Sequence, residues 1–289
     1  MKKVTRKSLL YKSKVEYADF CINHVEGCSH GCTFPCYAYN MARRFGKVKS
    51  FEGWKQPKLV KNALELLDKE IPKYKDEIKF VHLCFTTDPF MYKYPEVTDM
   101  TLKIINKLNV NGIKCTVLTK GIYPTNLKDI KKYSRNNEYG ITLVSLNKEF
   151  KNRFEPNSAP YRGRIKSLKR LHKAGLKTWV SMEPYPTPNI SKEKNPFQAL
   201  IKLLNEISFV NNIIFGKLNY NVKSSAFNKN EEFYERCAKI VENFCKKRGI
   251  KYHIKYGTKK LYDTQTSKLF VKPKPQINFM ISKKELITA

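Results

Sequence analysis

Three cysteines, Cys28, Cys32 and Cys36, recur at four-residue intervals in the stretch EGCSHGCTFPCYAYN, residues 26 to 40, among Gly27, Gly31 and Pro35. The chain has eight cysteines, and only these three crowd into so short and polar a stretch. In a reducing cytosol clustered thiols are more often metal ligands or catalytic groups than disulfides. Were residues 28 to 36 helical, the thiols would string along about 12 Å of helix axis, too far for one compact site. Gly31 and Pro35 oppose a helix interior, so a loop that wraps the thiols around one centre is the better geometry. A structural zinc takes four ligands, and Cys21, His24 or His30 could complete that set. An iron-sulfur cubane normally takes four thiolates. With three, one iron keeps the open position that marks catalytic metal sites, and an open iron can bind and reduce a second cofactor.

The elements that must position this loop alternate. The short β-rich runs FVHLCF (80 to 85), IKCTVLT (113 to 119), YGITLVSL (139 to 146), LKTWVSM (176 to 182) and NNIIFGKL (211 to 218) precede helical stretches near 97–108, 125–133, 162–174, 196–207 and 230–247. With an opening strand near 17–25, this predicts six β-then-α units, hence a parallel sheet with helices outside. Gly112, Gly175 and Gly249 stand where a helix ends before a strand begins, as C-cap glycines do. The fold class is α/β, a partial (β/α)6 TIM-type barrel over residues 1–249, whose active site lies at the C-terminal ends of the strands. The cysteine loop follows the first strand on that face. Residues 250–289 break the rhythm: Tyr, Ile and Phe alternate with Lys in KYHIKYGTKKLYDTQTSKLFVKPKP, which predicts an appended basic hairpin and tail.

The chain resembles the radical S-adenosylmethionine superfamily, and within it the spore photoproduct lyase-like family. The resemblance rests on NHVEGCSHGC followed by CYA (23 to 38), FTTDPF (85 to 90), VLTKG (117 to 121), ITLVSLN (141 to 147), RFEPNSAPYRGRIKSLKRLHKAG (153 to 175) and the strand through Met182, in that order. The superfamily's common spacing is CxxxCxxC, whereas CSHGCTFPC is one residue longer in the second gap, a length that a loop beside Pro35 can absorb. The resemblance implies a 4Fe-4S cluster on Cys28, Cys32 and Cys36, with S-adenosylmethionine on the fourth iron. It further implies a one-electron reductant of flavodoxin or ferredoxin type, and a 5′-deoxyadenosyl radical that takes hydrogen from substrate. Placement is the protein's part.

It also implies a cofactor site at the strand ends. Lys120 offers a cation for the methionine carboxylate and Ser145 a hydroxyl, while Thr86, Thr87 and Asp88 end the second strand near the methionine amino group, which Asp88 could accept. Arg153 and Arg164 could anchor a carboxylate or phosphate, or brace the helix that follows. Glu183 closes the fifth strand as MEP and could meet adenosine or substrate. Asp88 and Glu183 could equally be turn residues. In spore photoproduct lyase a cysteine near the second strand end returns a hydrogen atom to product. Phe85 stands at that position here, and Cys84, one residue earlier, is a candidate hydrogen donor that strand alternation turns to the opposite face. Cys21, Cys115 and Cys237 read as core.

A formal net charge of +31, from 56 basic and 25 acidic residues, attracts polyanions, and with the family resemblance points to a nucleic-acid base or nucleotide-like substrate. Only 10 of the 56 are Arg, so evenly spread lysines on a solvated surface are the competing reading, against which stands the lack of any parallel rise in acidic residues. A peptide or small metabolite is the alternative substrate; a zinc-stabilised nucleic-acid-binding protein is the non-catalytic alternative. With no signal-like segment and no run of about 18 apolar residues, a cytoplasmic protein without membrane partners is expected.

Overall fold

The computed structural model describes residues 1–13, 18–34, 36–219 and 221–259. Its main sheet carries seven parallel strands: β1 (Phe20–Ile22), β2 (Phe80–Leu83), β3 (Lys114–Thr119), β4 (Glu138–Thr142), β5 (Lys177–Tyr185), β6 (Asn212–Lys217) and β7 (Lys251–Ile254). They lie side by side in chain order. A short antiparallel strand, Leu10–Lys12, extends the β1 edge, and the sheet stays open between it and β7. The expected partial barrel is thus present without closure. A separate three-stranded sheet places Lys58–Val60 between Lys2–Val4 and Val25–Glu26.

The longer helices among the described residues are α1 (Tyr37–Arg44), α2 (Ala63–Tyr74), α3 (Pro95–Val110), α4 (Lys148–Phe154), α5 (Tyr161–Lys173), α6 (Pro196–Glu206) and α7 (Asn230–Arg248). Those that pack on the sheet bury an apolar stripe at helical spacing. On α5 it is Ile165, Leu168 and Leu171; on α7 it is Phe233, Cys237, Val241 and Phe244. Leu168 and Leu171 are fully buried, so truncating either to Ala would cost about 2–5 kcal/mol. Gly112, Gly175 and Gly249 all take positive φ after their helices, as the sequence places them.

Two expected elements differ. The helix near 125–133 is only a 3-10 turn, Thr125–Lys128, entered through Pro124 and left through an extended Asp129. The stretch predicted to open the basic extension instead adds β7, whose alternating KYHI pairs in parallel with Asn212–Phe215. Residues 260–289, the rest of the expected hairpin and tail, lie outside the described residues.

Candidate active site

The cysteine loop begins a few residues past β1. Gly27 adopts φ +78°, and a Cβ there would come within 2.6 Å of the Trp54 carbonyl oxygen, which accepts the Cys28 N–H at 2.9 Å. A side chain would disrupt that approach. A second strap comes from residues 153–157. The Thr33 N–H donates to the Phe154 carbonyl at 3.0 Å and its hydroxyl to the Arg153 carbonyl at 3.2 Å. Asn157 donates its N–H to the His30 carbonyl at 3.2 Å and its side-chain amide to the Ser29 carbonyl at 3.1 Å. Cys36 ends the loop as the N-cap of α1, its Sγ accepting the Tyr39 N–H at 3.4 Å.

All three thiols are unpaired by disulfide and half-buried. Burial pushes Cys28 well above the ordinary thiol range, with Asp88 adding to the effect. Burial also pushes Cys32 up to about 11, against the pull of the Lys120 cation. Such thiols keep their protons until a metal displaces them. Among the described residues no three His, Cys, Asp or Glu side chains converge as ligands of one metal ion. A cubane makes a different demand, one thiolate on each of three separate irons, and three half-buried thiols free of disulfides on one strapped loop supply that kind of donor. Two buried hydroxyl oxygens, Ser29 Oγ in the loop and Tyr161 Oη at the start of α5, have no hydrogen-bond partner among the described residues. Buried polar groups ordinarily have one, so a polar cofactor seated against the loop would suit both.

Lys120, just past the end of β3, sits at the centre. Its Nζ is 2.8 Å from Glu155 Oε1 and 3.7 Å from Cys32 Sγ. The other Glu155 oxygen takes Arg164 Nη2 at 2.6 Å. Burial alone would raise the Glu155 carboxyl, but Lys120 and Arg164 hold it down at about 2. For Lys120, burial opposes the charge, yet Cys32 and Glu155 outweigh it and raise the ammonium above its usual range. Arg164 is fully buried and also donates to the Ala159 and Thr142 carbonyls, both at 2.9 Å, and to the Ser158 hydroxyl. It therefore braces the loop before α5. Of its two expected roles, anchoring a cofactor group or bracing the helix that follows, the enclosed guanidinium fills the second.

Asp88 likewise follows the turn-shaping one of its two expected readings. Its Oδ1 accepts the Phe90 N–H at 3.0 Å and the Thr119 hydroxyl at 2.6 Å, and its Oδ2 accepts the Lys120 N–H at 2.7 Å. His30 completes the surround. The Tyr92 N–H donates to His30 Nε2 at 3.0 Å, which leaves the proton on Nδ1, 3.5 Å from Asp88 Oδ2. Burial, opposed by Asp88, lowers His30 to about 4, so the ring is neutral. The 95%-buried Asp88 thus joins the ends of β2 and β3 to the cysteine loop, and its oxygens are already occupied.

Cys84 also departs from expectation. β2 stops at Leu83, and Cys84 turns out of it at φ +57°, so strand alternation does not govern its direction. Its Sγ lies 3.4 Å from His24 Nδ1. The Thr101 hydroxyl donates to main-chain carbonyls, so His24 Nε2 donates to Thr101 at 2.8 Å and Nδ1 is left to accept the thiol proton. Burial raises Cys84 to about 12 and lowers His24 to about 3. The pair is a neutral, enclosed contact, with Cys84 in a small apolar cluster that Cys28 packs against.

The remaining candidates sit on the rim. Thr86 donates its N–H to Asn23 Oδ1 at 3.0 Å, and the Thr87 hydroxyl donates to the Val25 carbonyl at 3.3 Å. Ser145 Oγ accepts the Asn147 N–H at 3.0 Å and lines a cavity of about 450 Å³ with Tyr185, Lys192, Lys194 and Lys202. Glu183 pairs with Lys255 at 3.4 Å, so the segment after β7 reaches the strand-end face. Arg153 is exposed, its guanidinium 5.0 Å from the centre of the Phe154 ring. Glu155 and Tyr161 were not predicted. Their signal was present inside RFEP and PYRGR, where flanking arginines drew the reading instead.

The chain is 24% identical over 231 residues, 74% of its own length and 75% of the relative's, to the uncharacterized protein ORF301 of Acidianus two-tailed virus. It is 26% identical over 186 residues, 63% of its length and 66% of the relative's, to the uncharacterized protein MJ0683 of Methanocaldococcus jannaschii. Among solved structures, spore photoproduct lyase complexed with dinucleoside spore photoproduct superposes with a TM-score of 0.63 at 15% identity, over 87% of this chain and 80% of that one. A mutant of that lyase with bound AdoMet and the same dinucleoside gives a TM-score of 0.62 at 15% identity and the same coverage. The radical SAM superfamily model matches residues 22–194, which span the cysteine loop, Lys120 and Glu155, and the chain therefore belongs to that superfamily of enzymes, whose cofactors are a 4Fe-4S cluster and S-adenosylmethionine.

Proposed function

We propose that Cys28, Cys32 and Cys36 ligate the cluster, that Lys120 and Ser145 hold S-adenosylmethionine, and that the substrate is a nucleic-acid base or a nucleotide-like molecule. When bound, and reduced by an external one-electron donor, the cluster would supply the electron that S-adenosylmethionine needs for radical hydrogen abstraction. The observation that carries the ligand assignment is the strapped loop itself: three undisulfided thiols held from two sides at the strand-end face, with the Lys120 ammonium at Cys32. An ammonium has three protons. Glu155 and Cys32 take two, which leaves one for the methionyl carboxylate. Ser145 accepts from Asn147 and keeps its own proton to donate. Thr86 and Thr87 stay rim positions near the methionyl amino group, and Glu183, tied to Lys255, borders the substrate side.

Three supports favour a nucleotide-like substrate. The net charge is +31; Lys192, Lys194 and Lys202 outnumber Glu193 around the cavity beside Ser145; and spore photoproduct lyase, of like fold, has been captured with a dinucleoside. A cavity of that size suits a small ligand.

The test is anaerobic reconstitution with iron and sulfide, reduction with dithionite, and chromatographic detection of 5′-deoxyadenosine, repeated with a mixed-sequence oligonucleotide. Cleavage that is lost in Cys32→Ala and stimulated by the oligonucleotide is the expected result. A protein that takes up one zinc and cleaves nothing would sink the ligand assignment. Cleavage indifferent to nucleic acid at every salt concentration would sink the substrate class alone.

A further inference from the structure

Resting on the assignment of Cys32 as a cluster ligand, we propose that Lys120 tunes the electron affinity of the cluster, raising its reduction potential through a hydrogen bond to the Cys32 sulfur, and that Glu155 and Arg164 exist to hold it there. Lysines are ordinarily mobile point charges on a flexible stem. Lys120 is fixed at both ends. Its N–H binds Asp88 Oδ2 at 2.7 Å and its carbonyl takes the Ala159 N–H at 3.0 Å, while the ammonium is pinned at 2.8 Å to Glu155, itself pinned at 2.6 Å to the fully buried Arg164. The result is an N–H donor 3.7 Å from Cys32 Sγ, backed by a group of three charges whose sum is positive.

Reduction adds an electron, hence negative charge, to the cluster and its sulfurs. A cation that donates to a ligating sulfur stabilises the reduced form more than the oxidised one, and hydrogen bonding to sulfur is one of the levers that set such potentials. The effect is strengthened where water is largely excluded, as around Glu155, which is 1% exposed. Within the trio the sign of each contribution differs. Lys120 pulls the potential up, and Glu155 offsets part of that pull while keeping two cations together.

The experiment is a redox titration of the reconstituted cluster with dithionite and mediators, followed by electron paramagnetic resonance, without S-adenosylmethionine. Lys120→Met is expected to make reduction at least tenfold less favourable, a drop of about 59 mV for a one-electron couple, with Lys120→Arg restoring most of it. Glu155→Gln, whose amide oxygen can still accept from the Lys120 ammonium and hold it in place, removes only the offsetting negative charge and is expected to move the midpoint upward. Opposite signs at two residues in one ion pair are the signature, because a merely structural lesion would not reverse direction. If Glu155→Gln fails to fold, the Met and Arg variants of Lys120 decide. An unchanged midpoint in Lys120→Met, with iron and sulfide at the wild-type level, overturns the proposal and leaves the ligand assignment standing. Wild-type protein that holds no iron or sulfide overturns both.

Discussion

Two buried carboxylates flank Lys120 and differ in what neutralises them. Asp88 is surrounded by uncharged donors: two backbone N–H groups, the Thr119 hydroxyl and the neutral His30 ring. Glu155 is surrounded by charge, with Lys120 on one oxygen and Arg164 on the other. Asp88 therefore fixes the path of the backbone from β2 to β3, and Glu155 fixes where a positive charge sits. A hub built on neutral donors loses one hydrogen bond when its carboxylate is altered; a hub built on cations leaves charges stranded.

The sharpest way to break the comparison is Glu155→Ala. Arg164 would remain enclosed without its partner, and breaking a buried pair in this way costs about 3–5 kcal/mol, readable as a lowered urea midpoint at unchanged slope. The acid limb carries the same information. Because the folded Glu155 is held at about 2, below its reference of 4.5, its contribution is complete above that reference and is lost as pH falls from 4.5 toward 2. The stability difference between wild type and Glu155→Gln should therefore shrink across that window. Equal slopes for the two proteins there would remove the charged hub.

Asp88→Asn is expected to cost less, about 1–3 kcal/mol, the penalty for setting an amide N–H₂ against one of the existing donors. Its larger consequence is local. The Lys120 N–H and the His30 ring both lean on Oδ2, so hydrogen exchange at Lys120 should accelerate while α7 is unaffected. Uniform acceleration through the sheet would mean that Asp88 supports the whole fold and not this junction.

The contrast also shows what a sequence makes legible. Strand runs such as KCTVLT and the apolar stripe of α7 could be read because burial on a regular element repeats at a fixed period. The 3-10 turn at Thr125–Lys128 could not, since a short segment between Pro124 and Ser134 carries too few positions to show a period. β7 was masked by lysines that alternate for a strand edge as they would for a hairpin. At the site, the expectation that Cys28 and Cys32 sit on a loop and not in a helix was legible from the glycines beside them, and the structure has that loop. Asp88 was legible only as a turn residue, and that half of the reading matches its bond to the Phe90 N–H. Glu155 was hidden because Lys120 lies 35 residues away, and nothing within RFEP says that the fold will enclose its carboxylate. Cys84 was misplaced because the chain turns there at positive φ, so the strand ends at Leu83, two residues short of the predicted 85.

Arg153 and Arg164 make the smallest and finest test, because they were read alike and lie in opposite environments. Arg164 donates to four groups and is fully buried; Arg153 is exposed and rests its guanidinium on the Phe154 ring. The part of Arg153 that serves the cysteine loop is its carbonyl, which accepts the Thr33 hydroxyl and survives any substitution of the side chain. Arg153→Ala should therefore change stability by no more than about 1 kcal/mol, the scale of an exposed cation–π contact, and leave both cluster loading and the KM for S-adenosylmethionine within twofold of wild type. A tenfold rise in that KM at unchanged loading would instead mean that the exposed guanidinium swings inward to hold the methionyl carboxylate. Arg153 would then be the carboxylate anchor, and Lys120 would be left to Cys32 and Glu155.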